Sequence, residues 1–224
     1  MYKFVKSYFV NLSKIFSIQD GFIPIASSSS LFVGSLEPIW NVSISFSSPK
    51  TLPNGLEATF NAGMVLDPNN VDIQLSLGDL FMTQNDLDKA IKTYCDAISV
   101  DPLNFMSYAK TGLALWEKDY LEESVVAFHK SIELNPDFEI AQNNLGVVYL
   151  DGYGDPKTSV EYFKNAININ PNYTLAYFNL ARAYQALGDK SHAAEYYQMT
   201  MDLNKITEEL SEKDIRKRLY DLFE

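Results

Sequence analysis

Residues 141–149 read AQNNLGVVY, and the reading of this stretch decides the fold. It looks like a buried helix, yet it sets two carboxamides, Asn143 and Asn144, just ahead of a Leu-Gly pair. A glycine inside a helix costs roughly 0.5 to 1 kcal/mol relative to alanine. Gly146 therefore makes sense only where a neighbouring helix crosses too closely for a side chain. The same small residue returns in step along the chain, as Gly78, Gly112, Gly146 and Ala181. Prolines keep the same period: Pro68 to Pro102 is 34 residues, Pro102 to Pro136 is 34 and Pro136 to Pro171 is 35.

Three more series move with them, namely Phe81, Leu115, Tyr149 and Tyr184; Ala90, Ser124, Ser159 and Ala193; and Tyr94, Phe128, Phe163 and Tyr197. Independent residues that share one period mark a repeat architecture. Together they resemble the tetratricopeptide repeat (TPR) family, whose pattern places Leu-Gly at positions 7 and 8, Tyr at 11, small residues at 20 and 27, an aromatic at 24 and Pro at 32. Four copies are visible, 71–104, 105–138, 139–173 and 174–207. The resemblance implies an all-α fold, a right-handed α-solenoid of helix-turn-helix repeats. In such a hairpin the aromatics fill the space between paired helices, and proline ends the second helix by forcing the residue before it out of the α region.

Around the repeats the chain divides further. Residues 51–70 keep the phase, with Phe60, Gly63 and Pro68, and read as a degenerate half repeat. Residues 1–50 read as a poorly specified appendage. MYKFVKSYFVNLSKIF places its apolar residues on one helical face, ASSSSLFVGS suggests a loop, and IWNVSISF alternates like a strand. Residues 1–18 are either a packed amphipathic helix or a targeting or membrane-surface helix. At the other end, 208–224 reads as a capping helix in which Leu210, Ile215, Leu219 and Leu222 cover the last pair. Its cluster of Lys213, Arg216, Lys217 and Arg218 reads as a solvated face, the alternative being a phosphate site. The one extra residue of the third repeat falls in LDGYGDPKTS, whose two glycines and proline predict a loop.

Composition narrows the function. Eighteen Lys and Arg against 29 Asp and Glu give a net charge of −11, which disfavours nucleic acid and anionic lipid over most of the molecule. Residues 1–55 carry four lysines and two acids, net +2, so the remainder holds −13. The single Cys95 cannot close an intramolecular disulfide, and no CxxC is present to hold zinc. No run of 18 apolar residues exists. These features fit a soluble cytoplasmic protein, the alternative being association with an organelle or a membrane surface through residues 1–18.

Chemistry is sparse. The two histidines, His129 and His192, lack a partnered nucleophile or ligand at a recurring spacing. There is no phosphate loop, dinucleotide fingerprint or HExxH, and the GYG of repeat three lacks the strand and Lys-Ser/Thr a phosphate loop needs. No enzyme, cofactor or metal is expected. What remains is the concave face, which the resemblance implies is lined by the first helix of each repeat. Position 6 there is Ser76, Lys110, Asn144 and Asn179; position 9 includes Asp79 and Arg182. Asn144 and Asn179 resemble two rungs of the asparagine ladder in the repeat arm of O-GlcNAc transferases, where carboxamides hold a peptide backbone. Asn143, at position 5, either flanks the groove or is merely exposed. Trp116 and Phe178 are either apolar anchors for a ligand or packed between repeats. The two-carboxylate clamp for chaperone tails is not supplied, since Leu75, Asp79, Lys110, Ile140 and Asn144 stand at its positions.

The expected function is a non-catalytic adaptor or scaffold that binds a peptide segment of a partner protein. Alternatives are a membrane-associated assembly factor, a regulatory arm of a separately encoded enzyme such as a glycosyltransferase, and self-association through the incompletely capped N-terminal end. Replacing Asn144 and Asn179 by alanine is expected to weaken a peptide without lowering the melting temperature.

Overall fold

The computed structural model describes residues 52–208 and 210–223, and these contain helices and turns but no strand. The amphipathic helix expected over 1–18, the Ser-rich loop and the strand-like IWNVSISF lie outside the described residues. The chain divides into two compact units, Met1–Leu56 and Glu57–Glu224. Apart from the first residues of one helix, the described elements belong to the second unit. In order they are α1 (Leu52–Leu66), α2 (Val71–Thr83), α3 (Leu87–Val100), α4 (Phe105–Glu117), α5 (Leu121–Leu134), α6 (Glu139–Val147), a π-helical turn (Val148–Gly152), α7 (Pro156–Ile169), α8 (Thr174–Ala186), α9 (Lys190–Thr207) and α10 (Glu212–Asp221). Helices α2 to α9 form four hairpins, each packed on the next in sequence order. The fold is an all-α solenoid.

Size complementarity holds each hairpin shut. Tyr94, Phe128, Phe163 and Tyr197 are all essentially buried, and each lies against the small residue of the facing helix. A Cβ at Gly146 would stand 2.6 Å from Phe163 Cε1, and one at Gly78 would overlap the Tyr94 ring. At Gly112 the clearance is wider, 3.1 Å to the Phe128 ring, and Ser124 Oγ donates to the Gly112 carbonyl across the same crossing at 2.8 Å. In the fourth hairpin the ring has room for a methyl group, and Ala181 fills it beside Tyr197. The helices therefore approach to a distance set by a glycine on one side and an aromatic on the other.

The turns explain where the extra residue of repeat three went. Three hairpins turn on a left-handed residue four places after the Phe81, Leu115 and Tyr184 series: Asn85 (φ 61°), Asp119 (φ 63°) and Gly188 (φ 78°). In each, the N–H five places after the series residue returns to its carbonyl, as Asp86, Tyr120 and Asp189 do at 2.9 to 3.0 Å. In the third hairpin the left-handed residue is Gly154 (φ 64°), five places after Tyr149, and the closing bond spans six residues, Asp155 N–H to the Tyr149 carbonyl at 2.8 Å. The insertion is thus absorbed before the turn, as the π-helical turn Val148–Gly152. The loop expected over LDGYGDPKTS is corrected accordingly: Leu150–Gly152 lie in the π turn, Pro156 opens α7, and three residues connect them. A wider i to i+5 ring accommodates one residue without breaking the helix.

Helix starts follow the capping preferences. Asp86, Asp155 and Asp189 accept from backbone N–H groups at the starts of α3, α7 and α9, and the hydrogen bonds hold all three carboxyls below their usual pKa. Tyr120, at the same place before α5, makes no side-chain cap. At the C-terminal end Asn204 Oδ1 accepts from the Leu210 N–H at 2.7 Å, and its Nδ2 donates to the Leu210 carbonyl at 2.8 Å. This turns α10 back so that Ile215 and Leu222 are buried against Phe178, Tyr197 and Met201.

Candidate functional site

The first helices of the four hairpins, α2, α4, α6 and α8, are termed A helices here. Successive A helices touch at α2/α4 and at α6/α8. Polar side chains join them at both places. At α2/α4, Lys110 Nζ donates to both oxygens of Asp79 at 2.7 Å, and Tyr94 Oη donates to Asp79 Oδ1 at 2.7 Å. Burial, with the Asp79 charge behind it, pushes the Tyr94 phenol well above its ordinary pKa, so it stays a donor. Ser76, one turn earlier, donates to the Asp72 carbonyl of its own helix at 2.8 Å.

At α6/α8 the link is a chain of amides. Asn143 Nδ2 donates to Asn144 Oδ1 at 3.4 Å, Asn179 Nδ2 donates to Asn143 Oδ1 at 3.0 Å, and Arg182 Nη1 donates to Asn179 Oδ1 at 3.1 Å. Arg182 Nη2 then reaches both oxygens of Asp151 at 2.7 and 2.9 Å. Asn143 and Asn179 are 0% and 1% exposed, whereas the Arg182 side chain keeps 23%. A carboxamide offers donors and an acceptor together, which lets such a chain pass through a packed interface with its polar atoms satisfied.

Several expectations change at this interface. Asn143 neither flanks a groove nor is exposed; it is fully buried and is the partner of Asn179. Neighbouring residues on an α-helix diverge by about 100°, so only one of two adjacent asparagines can aim along the helix contact, and that one is Asn143. Asn144 is also buried and ends the chain of amides. Phe178 is not an open anchor: it is 6% exposed, meets Tyr197 edge to face at 5.8 Å, and carries the Arg218 guanidinium over its ring at 5.5 Å. The chain's own α10 occupies it. Trp116 is half-buried against the cluster of Phe128, Leu145 and Val148, and a Cβ at Gly152 would come within 2.8 Å of its ring, so it is packed between repeats.

Asp151 is the residue of this network that the sequence does not reveal, because its surroundings read as a loop. A signal for it existed. Asp79 to Lys110 and Asp151 to Arg182 are each 31 residues apart, so an acid and a cation recur at one spacing. Glu117 was also missed; its Oε1 is buried without a hydrogen-bond partner, and burial, helped by Asp119, raises its pKa. The remaining chemistry-bearing side chains are dispersed. His192 Nδ1 lies 2.7 Å from Asp189, His129 meets the Tyr162 ring at 6.2 Å, and Cys95 is exposed with its thiol pKa raised by burial and Asp96. Among the described residues no group of three or more His, Cys, Asp or Glu could hold a metal ion. No helix among them is long and apolar enough to cross a membrane.

Comparison with known proteins places this architecture. The Tetratricopeptide repeat family models match residues 71–102, 107–138 and 162–196. The peroxisomal targeting signal receptor of Saccharomyces cerevisiae is 37% identical over 82 residues, 37% of this chain and 13% of that protein. Tetratricopeptide repeat-containing protein trd-1 of Caenorhabditis elegans is 23% identical over 154 residues, 69% of this chain and 20% of that protein. The matched stretches thus span a fifth or less of these curated relatives. Among solved structures, that of MamA superposes with a TM-score of 0.60 at 25% identity, over 70% of this chain and 92% of that one. The periodic sequence, the stacked hairpins and these matches together make the chain a tetratricopeptide-repeat protein.

Proposed function

We propose that the chain is a non-catalytic adaptor whose A helices form a wall that holds an extended peptide segment of a partner protein. The observation that carries this reading is the polar cross-linking of successive A helices, Asp79 to Lys110 and Asn143 to Asn179, Arg182 and Asp151. Side chains locked to one another across a repeat boundary are pre-organised, so a ligand that meets them does not bear the cost of ordering them. Lys110, Asn144 and Arg182 are the wall residues assigned to the peptide, and Asn179, 1% exposed, stands behind them as the link between Asn143 and Arg182. Two features give the reading further support: TPR membership, and the likeness of part of the chain to a receptor named for a targeting signal.

Polar contacts alone give modest affinity. Hydrogen bonds contribute about 0.5 to 1.5 kcal/mol each, and a micromolar complex needs about 8 kcal/mol. With Phe178 covered and Trp116 packed between repeats, apolar contacts of the ligand fall on the remaining half-buried wall residues, such as Leu113 and Val147. The test is selection of peptides from a random displayed library on the full chain, followed by titration against Lys110→Ala and Asn144→Ala. Loss of at least about tenfold in affinity in either variant supports the wall. Unchanged affinity in both sinks it.

A further inference from the structure

The peptide reading leaves open which peptides the wall accepts, and the pairing of its cations bears on that. Both cations assigned to the wall are already held by carboxylates of the preceding hairpin. Asp79 presents both oxygens to Lys110 at 2.7 Å, and Asp151 presents both to Arg182 at 2.7 and 2.9 Å. We infer that the wall excludes ligand carboxylates and accepts neutral or basic extended segments, with Asp151 as the residue that sets this selectivity. The inference rests on the peptide reading for its biological meaning, but its chemistry stands on the ion pairs themselves.

Three considerations converge on this assignment. A guanidinium donating to a carboxylate makes charge-assisted hydrogen bonds roughly twice as strong as neutral ones, and Arg182 Nη2 donates to both Asp151 oxygens. An internal carboxylate also competes at high effective concentration, about millimolar or above for a short tether, which a free ligand anion has to exceed. The charge of −13 carried beyond residue 55 repels acidic segments at longer range in the same sense.

Asp151 lies where the extra residue of this hairpin is absorbed. It sits inside the π turn Val148–Gly152, the only feature that distinguishes the length of this hairpin from the other three. The insertion thus has an assigned use, delivery of a carboxylate to Arg182, and π turns recur at functional sites in general.

The experiment uses the full chain labelled with ¹⁵N and acetate as the probe, with sodium chloride at matched ionic strength as control. The Arg182 Nε–H and Asn179 side-chain amide resonances are followed in the wild type, Asp151→Ala and Asp151→Asn. In the wild type they should move only as they do in chloride. In Asp151→Ala they should shift saturably, with acetate bound at least about tenfold more tightly than in the wild type. Asp151→Asn keeps the side-chain volume while removing the charge, and it should gain acetate binding in the same direction even if the alanine variant folds poorly. Saturable acetate binding to the wild type within about threefold of the variants would overturn the inference. So would the absence of binding in both variants. Because acetate is read without any peptide, failure here is distinguishable from failure of the peptide reading.

Discussion

The interior of each hairpin and the wall between hairpins are built on different principles. Inside a hairpin, contacts are apolar and steric: Phe163 lies on Gly146 so closely that a methyl group would not fit. Between hairpins, at α6/α8, the contact runs through Asn143, Asn179 and Arg182 to Asp151. Steric pairing repeats with small variations in all four hairpins. The polar link at α2/α4 is a lysine–aspartate pair, whereas at α6/α8 it is an amide chain that ends on Asp151 of the π turn. What is common to every repeat holds the fold, and what differs between boundaries is where recognition can be specified.

Variants that break one region and spare the other sharpen this contrast. The largest effect belongs to the hairpin interior. Phe163→Ala removes a fully buried ring and leaves a cavity against Gly146, and chemical denaturation should show a loss of about 3 to 5 kcal/mol. A loss under about 1 kcal/mol would mean the hairpin is not held by this contact.

An intermediate effect is expected at the wall. Asn179→Ala strands Asn143 Oδ1 without its Asn179 donor and deprives Arg182 of one acceptor inside a buried interface, so stability should fall by about 1 to 3 kcal/mol. This revises the expectation that both asparagines can be removed without lowering the melting temperature. That expectation assumed solvated side chains, and Asn179 is 1% exposed. Asn144→Ala, at the end of the chain of amides on a 3.4 Å bond, should cost less than Asn179→Ala in the same melting experiment. Equal losses would remove the distinction between the two rungs.

The smallest effect lies at a helix start. Tyr120→Asp places a carboxylate where Asp86, Asp155 and Asp189 cap the equivalent helices, and it should raise stability by about 0.5 to 1 kcal/mol. The gain should be present near neutral pH and absent when the melt is repeated well below the carboxylate range. A capping carboxyl with a lowered folded pKa stabilises above its unfolded pKa, and that contribution is lost as the pH falls through the folded one.

Much of this was legible from residue types at fixed spacing. Gly78, Gly112 and Gly146 and their aromatic partners could be paired before any coordinates, because the cost of a glycine in a helix demands a close neighbour and the period supplies one. The site was less legible. Asn144 and Asn179 recur one repeat apart, but adjacency in sequence gives no means to tell that Asn143, not Asn144, faces α8. Phe178 could be an anchor or a packed residue until α10 was seen to cover it with Ile215, Leu222 and Arg218. Asp151 reads as a loop residue because two glycines and a proline follow Leu150 closely, and nothing local distinguishes an inserted loop residue from a π turn.

The sequence by itself determined that the chain folds as stacked helical hairpins, since the period, the small residues and the buried rings are local consequences of helix geometry and side-chain volume. Only the tertiary structure decided which polar groups meet across hairpin boundaries. Those meetings depend on the direction in which each side chain leaves its helix and on how one hairpin sits against the next, as where Asp151, within the π turn Val148–Gly152, meets Arg182.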